Sequence, residues 1–323
     1  MEEKYYIGLD IGGTKCAQTL GKYVVNGGCV PKIEIREEFP TAGKTPDEAL
    51  ERFSAFIVKE LEKHPIDGIG ISCGGPLDSK HGIIMRPPSL PLWDDIKIVE
   101  YFENKFGIKT YLQNDANACA VAEWKFGAGR GTDNMIFLTF GTGFGAGLIL
   151  GGRLYGGTSD NAGEIGHIRL TDNGPEGYRK NGSCEGYCSG SGMVRLAKIL
   201  GNKKSLEAAY NEYVKAVGGE DKISAKTMAE YARTGNKFCK AVYKKSGEML
   251  GRSIAMVVDL LNPQKIVIGG IFMRANDLLM PYAEKVMKKE CLAFSLKDVE
   301  VVPAGLGENI GDYAALSVAK GDF

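Results

Sequence analysis

The chain has 323 residues, balances 40 Lys+Arg against 40 Asp+Glu, and carries only 3 His. That length predicts about two domains, each able to bury a core, and 44% hydrophobic with 25% charged residues excludes a disordered polypeptide. A formal charge of zero gives no electrostatic reason for nucleic acid or an anionic membrane as partner.

Tyr5 to Asp10 is a short apolar, β-prone run ending in an acid and a double glycine, and TKCAQTL after it can return as a second strand. KIEIREEF reads as a third, charged strand. Thr45, Pro46 and Glu48 announce the first helix: a cap, a first-turn proline and the acid of a capping box. Ala49, Phe53, Phe56, Ile57 and Leu61 then repeat at helical spacing. IDGIGIS is a buried-strand pattern that ends in Cys73-Gly74-Gly75-Pro76. A helix is expected over Ile96 to Phe106, stopped by Gly107, after which IKTYLQ leads as a strand into Asn114-Asp115 and the helix ANACAVAEWKFG.

From Asn134 to Gly152 the chain is uncharged, nearly the ~20 residues of a membrane span. Six of its residues are Gly, and the apolar positions form two blocks, MIFLTF and AGLIL, around GTGFG. A buried hairpin is therefore expected and a membrane span is not. Strand–glycine cluster–strand thus occurs twice, as LDIGGTKC and again about 130 residues later as LTFGTGFGAG, which predicts two similar α/β halves facing one another. Downstream, Ser189 to Leu200, Lys226 to Arg233 and Asn236 to Leu261 read as helices, KIVIGG as a strand, Asp277 to Lys289 as a helix, VEVVPA as a strand and IGDYAALSVAK as the terminal helix. No low-complexity linker intervenes, so the halves are expected to share a cleft. The expected lobes are residues 1–116, to which a terminal helix from about residue 306 returns, and residues 117–305.

Glycine, at 44 of 323 residues, is nearly twice its usual ~7% and predicts many tight turns or close backbone approaches. The eight cysteines (Cys16, Cys29, Cys73, Cys119, Cys184, Cys188, Cys239 and Cys291) are scattered, and the N-terminal MEEKYY is charged and lacks an apolar stretch. No signal peptide is expected, and the cysteines read as reduced thiols of a cytoplasmic protein.

Four clusters carry candidate chemistry. In Asp10-Ile11-Gly12-Gly13-Thr14-Lys15, glycines let backbone N–H groups turn toward an anion, Thr and Lys add donors, and the acid can hold Mg²⁺ through water. The spacing is not that of a Walker A loop, and a plain hairpin turn is the alternative. Gly141-Thr142-Gly143-Phe144-Gly145 is a second glycine loop; alone it reads as a tight hairpin, but paired with the first it could clamp a triphosphate. Asn114-Asp115 ends a strand, where a carboxylate can take a proton from a hydroxyl nucleophile, or where the pair can simply cap the next helix. Gly163-Glu164-Ile165-Gly166-His167, followed by Glu185, offers acids and an imidazole to a polyhydroxylated ligand, although loop acids are more commonly just solvated.

In this order and spacing the elements resemble the ROK family (repressor, open reading frame, kinase) of bacterial sugar kinases, from DIGGTK through QNDANACAVAEW, FGTGFGAG and GEIGH to KIVIGG and GDYAAL. The resemblance implies an α/β, actin-like (ribonuclease H-like) fold of two lobes with an interlobe cleft. It also implies transfer of the ATP γ-phosphate, with Mg²⁺, to a sugar hydroxyl, usually the 6-hydroxyl of a hexose. Asp115 then matches the catalytic base, and Asn114, Glu164, His167 and Glu185 match sugar-binding positions, with Gly74 and Gly75 bordering the sugar. Asp10, Gly12, Gly13, Thr14 and Lys15 match the first phosphate loop, with Asp10 a Mg²⁺ ligand through water; Gly141, Thr142 and Gly143 match the second, and Gly269 and Gly270 the nucleoside side. A hexose or N-acetylhexosamine substrate and a homodimer are further implications.

The sequence departs from the family in two places. Where members often carry a C-x-C-G-x-x-G-C-x-E zinc pattern after GH, Glu176, Tyr178 and Ser183 stand for the cysteines. Cys184 and Cys188 with His167 make at most three soft ligands, so zinc is not expected. Where the family reads roughly I-P-G-P the chain has Cys73-Gly74-Gly75-Pro76, and Ser89 stands where Asn is frequent. N-acetylmannosamine kinase and fructokinase therefore rival glucokinase. A repressor of this family would need a helix-turn-helix before DIGGTK, which begins at residue 10, so nucleic acid is not an expected partner. A non-catalytic sugar sensor is the alternative from another class.

Overall fold

The computed structural model describes residues 2–24, 30–41 and 45–323. Cys29 lies outside the described residues, and the other seven cysteines are free thiols.

Strands β1 (Glu3–Ile11), β2 (Lys15–Val24) and β3 (Lys32–Pro40) form an antiparallel meander, which α1 (Pro46–Leu61) follows. The capping box is complete: Glu48 N donates to Thr45 Oγ1 at 3.3 Å, and Thr45 N donates to Glu48 Oε2 at 2.8 Å. The apolar face of α1 (Ala49, Leu50, Phe53, Phe56, Ile57) packs into one core with Ile7, Leu9 and Ile11 of β1 and with Ile69 and Ile71 of β4 (Ile66–Cys73). Each Leu, Ile or Phe side chain among these contributes about 1.5–3 kcal/mol by leaving water. β4 lies parallel to β1.

Three two-residue strands, β5 (Leu77–Asp78), β6 (Ile83–Ile84) and β7 (Ile96–Lys97), make a small separate sheet. Because β7 takes Ile96, α2 (Ile98–Phe106) starts two residues later than its apolar spacing predicts, and it stops on Gly107 at φ 66°. β8 (Thr110–Asn114), parallel to β4, completes a sheet of order β3-β2-β1-β4-β8, and α3 (Asp115–Phe126) follows directly.

Next come β9 (Met135–Phe140), β10 (Phe144–Ile149), β11 (Glu176–Gly177), β12 (Lys180–Asn181), α4 (Cys184–Cys188), α5 (Gly190–Gly201), α6 (Glu207–Val217), α7 (Ala225–Arg233) and α8 (Lys237–Leu261). β13 (Lys265–Ile268), α9 (Ile271–Glu290), α10 (Ala293–Asp298), β14 (Glu300–Pro303) and α11 (Ile310–Val318) end the chain. The second sheet has the order β10-β9-β13-β14. It repeats the plan β2-β1-β4-β8: a hairpin with a three-residue loop, then two strands that pair in parallel.

The chain forms two compact units, one of Met1–Phe137, Gly147–Ala162 and Gly305–Phe323, the other of Leu138–Ala146 and Gly163–Ala304. The first break therefore falls after residue 137 and not after 116. Its physical reason is α3, whose Ala118 and Ala122 share a core with Ala314 and Val318 of α11. Within the same unit α11 lies against glycines of the sheet: a Cβ on Gly70 would stand 2.1 Å from Ala315 O, and one on Gly68 2.4 Å from Ala319 O. Among the described residues no helix is long and apolar enough to cross a membrane.

Candidate active site

The first unit places Asp10 at the C-terminal end of β1, opposite Ser72 of β4. Burial, then repulsion from Asp115 and Asp312, pushes the Asp10 carboxyl up to about 6, and a hydrogen bond with Ser72 opposes them. Asp312 of α11 is itself buried and accepts from Arg36 Nε at 2.8 Å. Neither Asp312 nor Arg36 was a candidate from sequence; Asp312 lies inside GDYAAL, where it reads as one more helix residue.

The loop Gly12–Thr14 is tightly set. Gly12 N donates to Lys15 O at 3.1 Å, and Thr41 N to Thr14 O at 3.0 Å. A Cβ on Gly13 would stand 2.6 Å from Ser89 Cβ, so glycine is needed there for close approach. The Lys15 ammonium is engaged by Glu38 Oε2 at 2.8 Å across the β2–β3 ladder.

Asn114 and Asp115 sit where β8 becomes α3, and both cap it. Ala116 N donates to Asn114 Oδ1 at 3.0 Å and to Asp115 Oδ1 at 2.7 Å. Gln113 Oε1 accepts from Asn114 N and from Asn117 Nδ2, fixing the turn from below. The capping role leaves Asp115 Oδ2 on the other side, 4.0 Å from the point a Cβ on Gly74 would occupy; Ser89 Oγ lies 3.9 Å from the same point. A Cβ on Gly75 would come 3.2 Å from Asn114 Nδ2. Asp115 keeps an open face to solvent, while protein packed around its other sides raises its carboxyl above the ordinary range and the Ala116 amide opposes this.

The donor set suits Mg²⁺ better than a soft metal. Oxygens of Asp10 and Asp115 are the kind this ion takes, and a cation would relieve the repulsion that raises Asp10. Among the described residues no cluster of three or more His, Cys, Asp or Glu is arranged as a metal cage.

In the second unit, the loop Gly141–Gly143 closes with Gly141 N donating to Gly143 O at 3.1 Å. The start of α5 grips it: Gly190 N donates to Gly141 O at 2.8 Å, and Ser191 Oγ to Thr142 O at 3.0 Å. Glu185 Oε2 accepts from Phe144 N at 3.2 Å, and a Cβ on Gly143 would come 2.9 Å from that oxygen. One Glu185 oxygen thus anchors β10. Glu164 and His167 are exposed on a short 3₁₀ turn, Ile165–His167. The turn is pressed onto β10: Ala146 N donates to Gly163 O at 2.8 Å, and a Cβ on Gly166 would lie 1.9 Å from Phe144 O. The His167 ring meets Tyr178 edge-on at 6.1 Å, and Lys180 Nζ donates to His167 O. Gly269 N donates to Leu138 O at 2.9 Å, and Gly270, at φ 67°, has no room for a Cβ against Phe140 O.

Cys184 and Cys188 are buried on α4 and face α8. Ser253 Oγ donates to Cys184 Sγ at 3.2 Å, and Cys188 Sγ donates to Ser246 O at 3.9 Å. Burial pushes the Cys184 thiol up to about 11 and raises that of Cys188, so both act as packing groups. Ser183 caps α4 through Gly186 N.

The whole arrangement has close relatives. A profile of the ROK family matches residues 6–321. The glucokinase of Thermotoga maritima is 30% identical over 321 residues, 97% of this chain and 96% of that protein. The DNA-binding transcriptional repressor Mlc of Escherichia coli is 28% identical over 294 residues, 90% of this chain but 68% of the repressor. Among solved structures, a ROK family glucokinase from Streptomyces griseus in complex with glucose and AMPPNP superposes with a TM-score of 0.77 at 28% identity, covering 98% of this chain and 99% of that one. The protein therefore belongs to the ROK family and has its α/β, actin-like two-lobed fold.

Proposed function

We propose that the protein is a cytoplasmic, ATP-dependent hexose kinase in which Asp115 is the catalytic base, acting most readily on the 6-hydroxyl of the sugar. The observation that carries this is the division of labour at Asp115: Oδ1 is committed to the Ala116 amide, and Oδ2 faces the space beside Gly74 and Ser89. Similarity to proteins named glucokinase supports the reaction class.

Asp115 Oδ2 accepts the hydroxyl proton as the sugar oxygen attacks the γ-phosphorus, and the bond to the β,γ-bridging oxygen breaks to release ADP. Helix capping holds the base in place, so little reorganisation accompanies the transfer. The raised carboxyl of Asp115 makes it a better proton acceptor than an ordinary aspartate. Backbone amides of Gly12–Thr14 and Gly141–Gly143 bind the phosphates, while Asn114, Glu164, His167 and Glu185 fix the sugar hydroxyls, with Gly74 and Gly75 giving the ring access. Gly269 and Gly270 border the nucleoside. Mg²⁺, held through water by Asp10, neutralises phosphate charge when bound.

The test is ADP release from MgATP against glucose, fructose, mannose, allose, N-acetylmannosamine and N-acetylglucosamine, with Asp115→Asn in parallel. Turnover on one sugar, reduced about 10²–10⁴-fold in the variant, is the expected result. Similarity to Mlc favours a second reading, a sugar sensor. No turnover on any sugar, with a sugar still raising the thermal midpoint, would establish that reading and remove the first.

A further inference from the structure

The second unit carries a concentration of positive charge that the kinase reading does not use. Gly247 and Gly251 of α8 lie against the backbone of α9. A Cβ on Gly247 would stand 2.6 Å from Leu279 O, and one on Gly251 2.5 Å from Ala283 O. This approach brings the flanking side chains together around a cavity of about 320 Å³. Lys244, Lys245 and Arg252 of α8 and Lys285 and Lys289 of α9 line it, against two acids, Glu248 and Glu290.

The acids are already matched. Glu248 lies 4.0 Å from Lys244, and Glu290 lies 3.6 Å from Lys289. Among the described residues Lys245, Arg252 and Lys285 form no ion pair, although the Lys245 ammonium also lies over the Tyr187 ring at 5.9 Å. Lys245 is half-buried, and its ammonium is held below its ordinary range by burial, helped by repulsion from Arg252 and Lys203, with Glu248 opposing. Tyr282 and Val286 line the cavity between the charges, and the Lys285 ammonium lies over the Tyr282 ring, 5.7 Å from its centroid. Like charges gathered on the two helices repel one another, and an anion between them would offset that repulsion.

We infer that the groove between α8 and α9 is a binding site for a small ligand carrying two or more phosphates, seated by Lys245, Arg252 and Lys285. Three cations around one cavity favour a polyanion over a single carboxylate, and Arg252 can take two phosphate oxygens through its planar fork. The site is distinct from the phosphate loops Gly12–Thr14 and Gly141–Gly143 and does not depend on the proposed kinase reaction.

The probe is inorganic tripolyphosphate, titrated calorimetrically into the full chain without Mg²⁺. The wild-type protein is expected to bind it in this groove with an affinity that falls steeply as salt rises. The Lys245→Ser/Arg252→Ser/Lys285→Ser variant, confirmed folded by circular dichroism, is expected to lose one molar equivalent of binding or to bind it at least about tenfold more weakly. A charge-matched control, Lys226→Ser/Lys237→Ser/Lys240→Ser, removes three exposed cations outside the cavity and is expected to bind like wild type. Unchanged stoichiometry and affinity in the first variant would overturn the inference, as would an equal loss in both variants, which would mean only a diffuse positive field.

Discussion

Asp115 shows how a structural use can leave half of a side chain open to the chemistry proposed for it. Sequence offered helix capping and proton transfer as alternatives, and the two carboxylate oxygens allow both: the cap takes Oδ1 and leaves Oδ2 open. Glu185 is divided in the same way, with Oε2 anchoring Phe144 N. The partners of a charged group are less legible, since they come from elements distant in the chain. Lys15 ends on Glu38, and Asp312 on Arg36, 276 residues away in the chain. Gly74 gives the sharpest test at this scale. Its Cβ position sits in ordinary contact distance of Asp115 Oδ2 and Ser89 Oγ, with no backbone in the way, so Gly74→Val would fill the space that the proposed function gives to a sugar hydroxyl without disturbing the fold. The sugar KM should rise about tenfold or more, with stability within about 0.5 kcal/mol of wild type. A normal KM, measured with whichever sugar supports ADP release, would show that the sugar does not pass Gly74.

Elements were legible where local chemistry is strong. The α1 capping box forms as its residues dictate, and long apolar repeats identify α5 and α8. What escapes has little local signal. Helix α6 buries only Tyr213, and Leu206 at its N-cap position makes no side-chain cap, so no apolar stripe or cap residue marks it. Helix α9 starts at Ile271, before the expected Asp277, because a non-helical Ala275 kinks it and Gly270 supplies no cap. The two-residue strands β5, β6, β7, β11 and β12 are too short for periodicity. The 3₁₀ turn at Ile165–His167 is intermediate: its glycines were visible, but their purpose, a close seat on β10, was not. Gly166→Ala would push a Cβ into Phe144 O and move the turn that carries Glu164 and His167. Overpacking of this kind costs about 1–3 kcal/mol, and sugar affinity should fall with it. Urea unfolding with a parallel sugar titration checks both, and a variant with wild-type stability and affinity would disprove the role given to this contact.

At the scale of the molecule, chain order and compact units do not coincide. The chain passes between units after Phe137, Ala146, Ala162 and Ala304, and a boundary read from motif spacing at residue 116 misses this because α3 and α11, far apart in sequence, share one alanine-lined core. The C-terminal segment is thus part of the first unit. Its helix α11 buries Ala314 and Val318 against α3, and Ala315, Leu316 and the following Ala319 against a sheet face that Gly68 and Gly70 keep bare of side chains. Its entry is pinned by the buried Glu123 of α3, whose Oε2 accepts from Gly305 N at 3.0 Å and from Ala128 N at 2.7 Å, and whose Oε1 accepts from Leu306 N at 2.9 Å. Deleting residues 305–323 would leave glycine-lined strands facing water and a buried carboxylate without two of its donors, and an uncompensated buried charge alone costs about 3–5 kcal/mol. Against a total stability of about 5–15 kcal/mol, that loss together with the lost apolar burial exceeds what the first unit can absorb. The truncated protein should therefore lose its cooperative urea transition and bind a hydrophobic dye. Glu123→Gln in the full chain keeps α11 but leaves a single acceptor oxygen, with an amide NH2 set against a backbone N–H in place of the other, so it should unfold cooperatively at a lower urea midpoint. A truncated chain that still unfolds cooperatively would mean that the sheet and α1 are stable without α11, and that the C-terminal helix is an accessory to the unit.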